Sequence, residues 1–231
     1  MQGRKVAVPT RDGKSMSAEY FAAPGAYGPA IVMVPAIFGL HDPERAVAAS
    51  YAELGFSVLV PDMFFRTIPG ALAREGAERD QAQKRYAEYD AAQGALDIGD
   101  AIAFLKTQEE CSGKVAAFGY CFGGRLAFLA AATGAADGAV TFHGTKLGDE
   151  VARANGVNCP LQIHVGDADP QIPMEETRRV QAALAGKKDI GVFVYPGIGH
   201  GFTNQGKPSY SLLADSMARA GALAMMASLA D

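Results

Sequence analysis

The sequence lacks the features that identify nucleic-acid-binding and membrane proteins. Its 231 residues carry a formal net charge of −4, and its longest basic clusters are the pairs Arg178-Arg179 and Lys187-Lys188. We therefore expect no nucleic-acid partner. No apolar run reaches the roughly eighteen residues of a membrane span. Residues 1–14 also lack the apolar segment of a secretory signal, so we expect no membrane association.

Cysteine and histidine are scarce. The three cysteines, Cys111, Cys121 and Cys159, lack the spacing of a disulfide scaffold, and they fit a reducing cytoplasm, the localisation that we expect. The four histidines form no HxH or HExxH motif, and there is no CxxC pair. Neither a phosphate-binding loop nor a dinucleotide fingerprint occurs. We therefore expect no metal and no cofactor.

Short apolar runs alternate with helical segments, which predicts an α/β fold. The predicted strands are 4–10, 16–23, 30–34, 56–60, 114–118, 139–142, 161–165 and 190–195. The predicted helices are 42–54, 72–90, 94–108, 125–134, 174–185 and 209–229. Asp12-Gly13 predicts a hairpin, and Gly94 predicts a break between two helices. We expect a mostly parallel central sheet with an N-terminal hairpin and helices on both faces, in a single domain, 1–231.

A glycine-rich turn, Gly119–Gly124, lies between a predicted strand and a predicted helix. Its G-x-C-x-G pattern is that of a nucleophile elbow, with Cys121 in the place usually taken by serine. A sulfur at a helix N-terminus is favoured as thiolate. The alternative is an inert buried cysteine, which is common in strand–turn–helix units.

Two further candidates also end predicted strands, Asp169 and His200. The chain order of nucleophile, acid and histidine is that of α/β-hydrolases. His200 would act as base, with Asp169 fixing its tautomer. Asp167 is the rival acid, and His143 is the rival base, although its position before the acid breaks the order.

Acyl transfer also needs two amide donors for the oxyanion. One expected donor is Phe122, the residue after the nucleophile. The other is Ile37, in the loop that follows an early strand.

These motifs together resemble the dienelactone hydrolase (carboxymethylenebutenolidase-like) family of α/β-hydrolases, over nearly the whole chain. The resemblance rests on Ile37–Gly39, Val60–Asp62, Gly119–Gly124, Gly166 with Asp169 and Pro173, and Gly199–Phe202. It implies an α/β-hydrolase fold and a triad of Cys121, Asp169 and His200. It also implies cleavage of an ester or enol-lactone without a cofactor.

Two departures from the family bear on the substrate. The resemblance implies a glutamate before Ile37, where this chain has Ala36. It also implies two arginines that hold a substrate carboxylate; one aligns with Arg79, but the other falls at Asn204. An Arg-to-Asn change removes a bidentate anion contact, so a different small ester stays open. We expect a pocket wall of Phe38, Phe64, Tyr86, His143 and Phe202.

Two alternatives to an esterase stay open. The same triad chemistry suits a thioesterase or peptidase, which is also an acyl hydrolase. A catalytically silent module could instead keep Cys121 as a reactive thiol for binding or redox sensing. In either case we expect a small-molecule partner and a monomer or weak homodimer.

Overall fold

A computed structural model describes residues 1–25 and 27–230, and its core is an eight-stranded sheet. The strands are β1 (Arg4–Pro9), β2 (Ser15–Phe21), β3 (Gly28–Val34), β4 (Val58–Pro61), β5 (Cys111–Tyr120), β6 (Gly138–Phe142), β7 (Leu161–Gly166) and β8 (Ile190–Tyr195). Their order in the sheet is β1-β2-β4-β3-β5-β6-β7-β8. β2 pairs antiparallel with β1 and β4, and all other neighbours are parallel.

Helices cover both faces of this sheet. They are α1 (Asp42–Glu53), α2 (Gly76–Ala87), α3 (Ala91–Lys106), α4 (Phe122–Ala132), α5 (Met174–Ala183) and α6 (Leu212–Ser228). α1 and α6 pack on one face, and the other four helices pack on the opposite face. The predicted α/β architecture is therefore confirmed. None of the helices in the described ranges is both long and apolar enough to cross a membrane.

The central strand β3 shows why the strand patterns are continuously apolar. Ile31 and Met33 belong to the core under α1 and α6, whereas Val32 and Val34 belong to the core on the other face. Side chains of a strand alternate between faces, so a strand covered on both sides needs apolar residues throughout. This arrangement places the middle of the sheet, and the loops that follow its strands, on a rigid base.

The hairpin forms as predicted, but some predicted boundaries are wrong. Gly13 occupies a left-handed conformation (φ 81°) between β1 and β2, as the Asp-Gly pair requires. Gly94, in contrast, lies inside α3, where the ring of Tyr89 fills the space beside it. The break falls earlier, because the side chain of Asp90 accepts hydrogen bonds from the first turn of α3.

The sequence pattern also missed a 3₁₀ helix, Leu147–Gly156, which connects β6 to β7. Its hydrogen bonds span three residues, so it lacks the spacing by which an amphipathic α-helix is recognised. Phe64, which follows β4, is only 3% exposed and stacks on Phe122. It therefore helps to pack the start of α4.

Candidate active site

The sheet brings the three predicted catalytic residues to one edge. β5 leads into Cys121, β7 is followed by Asp169, and β8 is followed by His200. These strands run parallel within the β5-β6-β7-β8 half of the sheet. The carboxyl ends of parallel strands meet at the same edge, where ligand sites of open α/β sheets lie.

The backbone at Cys121 is strained. Its φ of 54° and ψ of −117° are unusual for a residue with a side chain. The Cys121 amide donates to the Phe142 carbonyl at 3.0 Å, which ties the turn to β6. The side chain is partly exposed. A strained residue held this firmly is typical of functional turns.

Three glycines make this turn possible. A Cβ atom on Gly119 would overlap the carbonyl of Gly123, and one on Gly123 would overlap that of Val34. A Cβ atom on Gly124 would lie 2.5 Å from the Cα of Gly144. No real Cβ contact is that short, so a larger residue at any of the three positions would displace the backbone of the turn.

His200 and Asp169 form a close pair. His200 Nδ1 lies 2.7 Å from Asp169 Oδ2. The other carboxylate oxygen accepts from the Gln171 amide at 2.8 Å, and Asp169 is only 4% exposed. With both oxygens engaged, the carboxylate has a fixed orientation. It therefore holds the ring so that Nδ1 carries a proton.

The third residue, Cys121, lies near enough to His200 to affect its ionisation. Burial by itself lowers the pKa of His200, but the hydrogen bond to Asp169, together with the nearby Cys121 and Asp169 groups, outweighs burial and raises this pKa to about 9. At neutral pH the imidazole is therefore protonated. A histidine near a cysteine is the arrangement by which a thiol is activated for nucleophilic attack.

The rival acid and base have other contacts. Asp167 is exposed, and its Oδ1 accepts from the Gly197 amide at 2.6 Å. His143 is 2% exposed, and its Nε2 lies 2.9 Å from Thr203 Oγ1. Burial, together with the charge of His200, lowers the pKa of His143 well below its usual value. The structure thus brings Asp169, and not Asp167, to His200, and it holds His143 neutral.

The amides of Ile37 and Phe122 are the expected oxyanion donors. Both residues are buried, but different contacts hold them in place. Within residues 1–25 and 27–230, neither amide donates to a protein acceptor. Phe122 begins α4, where free amides are normal. Ile37 is held through its carbonyl, which accepts from Nε of Arg85 at 3.0 Å.

Arg85 was missed by sequence reasoning. It is 1% exposed, and its Nη1 also donates to the carbonyls of Ile68 (2.6 Å) and Gly70 (2.9 Å). Its one signal in the sequence is its i+3 spacing from Ala82, the other buried residue of α2. An arginine at that position would ordinarily be read as a solvated helix charge.

Of the expected substrate contacts on α2, the structure brings one to the site. Tyr86 is half-buried, and its hydroxyl lies 2.8 Å from Thr145 Oγ1. Its ring packs edge-on against that of Phe122, the residue after Cys121, with 6.0 Å between the centroids. Arg79 is exposed on α2 and lines none of the cavities around the site. The expectation that Arg79 holds a substrate anion is therefore not supported, because its side chain faces solvent.

Some of the remaining predicted wall residues line two cavities. Ala36 lines both a cavity of about 200 Å³, together with Phe122, and one of about 220 Å³, together with His143 and Asn204. Phe202 is fully buried, and its ring packs on His143. The partly exposed residues among these expectations are Ala36, Phe38 and Asn204; the ring of Phe38 lies under the guanidinium of Arg74.

The described ranges contain no cluster of three or more histidine, cysteine, aspartate or glutamate side chains suited to a metal ion. The site combines the His200–Asp169 pair with the nearby Cys121 thiol, and the amides of Ile37 and Phe122 have no protein acceptor within the described ranges.

Known proteins share both the sequence and the fold. The sequence model of the dienelactone hydrolase family matches residues 17–229. The chain is 28% identical over 226 residues to a carboxymethylenebutenolidase of Pseudomonas putida, covering 97% of this chain and 96% of the relative. It is 29% identical over 205 residues to carboxymethylenebutenolidase 1 of Cupriavidus pinatubonensis, covering 88% and 87%.

Solved structures share the same fold. A dienelactone hydrolase-like promiscuous phosphotriesterase from metagenomic libraries superposes with a TM-score of 0.82 at 28% identity, over 99% of this chain and 98% of that chain. An esterase of Pyrococcus furiosus shares the fold, with a TM-score of 0.72 at 14% identity over 100% and 93%. The chain therefore belongs to the dienelactone hydrolase family, a family of ester and lactone hydrolases with the α/β-hydrolase fold.

Proposed function

We propose that this hydrolase cleaves a small carboxylic ester or enol-lactone through a Cys121–His200–Asp169 triad and an acyl-enzyme. The observation that carries the proposal is the His200–Asp169 pair, with 2.7 Å between Nδ1 and Oδ2, at the same edge of the sheet as the strained turn that presents Cys121. A thiolate paired with an imidazolium needs no further activation to attack a carbonyl.

In the first half-reaction, the Cys121 thiolate adds to the substrate carbonyl carbon. The negative charge moves to the carbonyl oxygen, where the free amides of Ile37 and Phe122 would bind it. The imidazolium of His200 then gives its Nε2 proton to the departing alkoxide. The products of this step are a thioester on Cys121, an alcohol and a neutral imidazole.

In the second half-reaction, neutral His200 takes a proton from water. The hydroxide adds to the thioester, and the same two amides bind the new oxyanion. The thiolate then leaves as the carboxylic acid is released, and the imidazolium beside it is restored. Asp169 stays ionised throughout and stabilises the imidazolium whenever it forms.

The natural ester need not be a dienelactone. The curated relatives are named carboxymethylenebutenolidases, which supports a lactone. However, Asn204 has no cationic group, and Arg79 is exposed. The anion clamp implied by the family resemblance is therefore missing, and we propose a small ester that is bound differently.

Hydrolysis of p-nitrophenyl acetate and of a dienelactone tests the proposal. We expect turnover by the parent enzyme and a loss of at least about 10²-fold in both Cys121→Ala and His200→Ala. Cys159→Ala is the matched control, because burial raises the pKa of that thiol to about 11 and leaves it unreactive. Unchanged turnover in Cys121→Ala or His200→Ala would rule out the mechanism.

A further inference from the structure

A cavity of about 220 Å³ is lined by residues of α1 and by Arg219 of α6. Its wall also includes Ala36, Tyr120 and His143. Ala36 and Tyr120 directly precede Ile37 and Cys121 in the chain. The ring of His143 lies 4.8 Å from that of His200. One part of the cavity wall is therefore formed by the immediate neighbours of the proposed nucleophile, base and oxyanion donor.

Two charged side chains, Glu44 and Arg219, are found among the described residues that line this cavity. Glu44 is already neutralised: its Oε1 pairs with Arg74 at 2.7 Å, and its Oε2 accepts from the His41 amide at 3.1 Å. The neighbouring wall consists of small and apolar side chains from α1, such as Val47. A ligand in this cavity would therefore meet one unneutralised charge.

That charge is the guanidinium of Arg219, on α6. In the described part of the chain, no carboxylate lies within 4.0 Å of it. Its Nη2 donates to Ser50 Oγ at 2.8 Å, and the group lies over the ring of Tyr51, 5.1 Å from the centroid. Asp215, one turn earlier on α6, accepts from the Tyr210 hydroxyl at 3.4 Å; burial raises its pKa, and the charge of Arg219 opposes that rise.

These contacts hold Arg219 in place while leaving most of its donors free. The Ser50 hydrogen bond uses Nη2, and within residues 1–25 and 27–230 neither Nε nor Nη1 has an acceptor. Arg219 is only partly buried, and its side chain lines the cavity. A fixed guanidinium with two free edge donors suits a carboxylate, which it can bind through both oxygens.

We propose that this cavity receives the acyl chain of an ester whose far end is a carboxylate, and that Arg219 binds that carboxylate. The inference rests on the proposed function, since the acyl group must be attached to Cys121. Hydrolysis would then release the alcohol and a dicarboxylic acid, with water supplying the hydroxyl and the proton. The anion contact thus comes from α6, instead of from Arg79 or position 204.

The test compares charged and neutral esters of equal size. The charged series is the mono-p-nitrophenyl esters of glutaric, adipic and suberic acid, corrected for spontaneous hydrolysis. In the neutral series an isopropyl group replaces each terminal carboxylate. The measured quantity is kcat/KM for the charged ester divided by kcat/KM for its neutral partner, in the parent, Arg219→Gln, Arg219→Lys and the exposed control Arg178→Gln.

We expect this ratio to fall about tenfold or more in Arg219→Gln, for at least one chain length, through a rise in KM for the charged ester. Arg219→Lys should recover part of the ratio because it keeps the charge, and Arg178→Gln should match the parent. If Arg219→Gln shows the same ratio as the parent at every chain length, the inference about Arg219 is wrong, and the proposed function is unaffected. A parent that hydrolyses neither series, or a Cys121→Ala variant that hydrolyses both, would overturn the proposed function instead.

Discussion

At the scale of single residues, the central feature is His200, whose protonated form is stabilised by Asp169 and Cys121. The pKa of His200 rises from 6.5 to about 9, because the hydrogen bond to Asp169, together with the nearby Cys121 and Asp169 groups, outweighs burial. Since the folded-state pKa is the higher one, this contribution to stability is complete below about pH 6.5. It is lost as the pH rises through about 9.

The same proton predicts a pH dependence of catalysis. We expect kcat/KM of the parent to decline above about pH 9, where His200 loses its proton. Asp169→Asn removes the partner of Nδ1, so kcat/KM should fall about 10²–10⁴-fold and the alkaline decline should begin at lower pH. The measurement is a pH profile of kcat/KM with an alkyl ester such as ethyl acetate, whose alkoxide needs the His200 proton to leave.

Asp167→Asn is the matched control for that profile, because Asp167 is exposed and contacts the Gly197 amide instead of His200. Its profile should coincide with that of the parent. If Asp167→Asn were the damaging change and Asp169→Asn the silent one, the assignment of the acid would be wrong.

The sequence pattern predicted some residues of the candidate site but did not reveal Arg85. Cys121, Asp169 and His200 each follow a recognisable apolar strand, and parallel strands bring such positions together. Arg85 carries no comparable signal, because its role depends on carbonyls from a loop that precedes α2 by many residues. Contacts between irregular segments have no periodicity, so sequence patterns do not reveal them.

At the scale of elements, α2 holds the loop that follows β3. One buried guanidinium, Arg85, donates to Ile37 from that loop and to Ile68 and Gly70 from the segment after β4. No carboxylate in the described ranges forms an ion pair with it, and burial lowers the pKa of this guanidinium. These hydrogen bonds offset the free-energy cost of burying the guanidinium. The guanidinium also holds the Ile37 carbonyl, and with it the position of the Ile37 amide.

Arg85→Met should therefore affect both stability and catalysis. Three carbonyls would lose a donor, at about 1–3 kcal/mol for each group left buried and unpaired, so we expect a clear fall in the free energy of unfolding. The Ile37 amide would shift, and kcat should fall at least about tenfold while KM changes little. Urea titration and steady-state kinetics measure the two effects.

Lys84→Met is the control for Arg85→Met, since Lys84 is exposed on the same helix and should tolerate the change. An Arg85→Met variant that is less stable but keeps the parent kcat would show that Arg85 supports the fold without positioning the oxyanion donor.

Element boundaries show the limits of patterns at this scale. The strands were predicted well because burial on both faces makes them continuously apolar. The boundary between α2 and α3 was misplaced because Gly94 looks like a helix breaker, whereas it accommodates the ring of Tyr89. The decisive contact lies outside the local sequence, in the packing of neighbouring side chains.

At the scale of the whole molecule, the order of the strands explains how distant residues meet. The half of the sheet formed by β5, β6, β7 and β8 brings the residues of the proposed triad, Cys121, Asp169 and His200, to one edge. β3, next to β5, delivers the Ile37 amide to the same edge. α1 and α6, on one face, enclose the cavity that leads to Arg219. The proposed nucleophilic attack and proton transfer thus depend on the sheet edge, whereas the proposed substrate selection depends on α1 and α6.

The most direct test of the central claim is to identify the atom that carries the acyl group. The parent enzyme is mixed with p-nitrophenyl acetate, quenched in acid during the first turnover, and mapped by peptide mass spectrometry. The account predicts a burst of p-nitrophenol equivalent to one per enzyme, and one acetyl group on the peptide that contains Cys121. Sustained turnover with Cys121 unmodified, or with the acetyl group on Cys111 or Cys159, would contradict it.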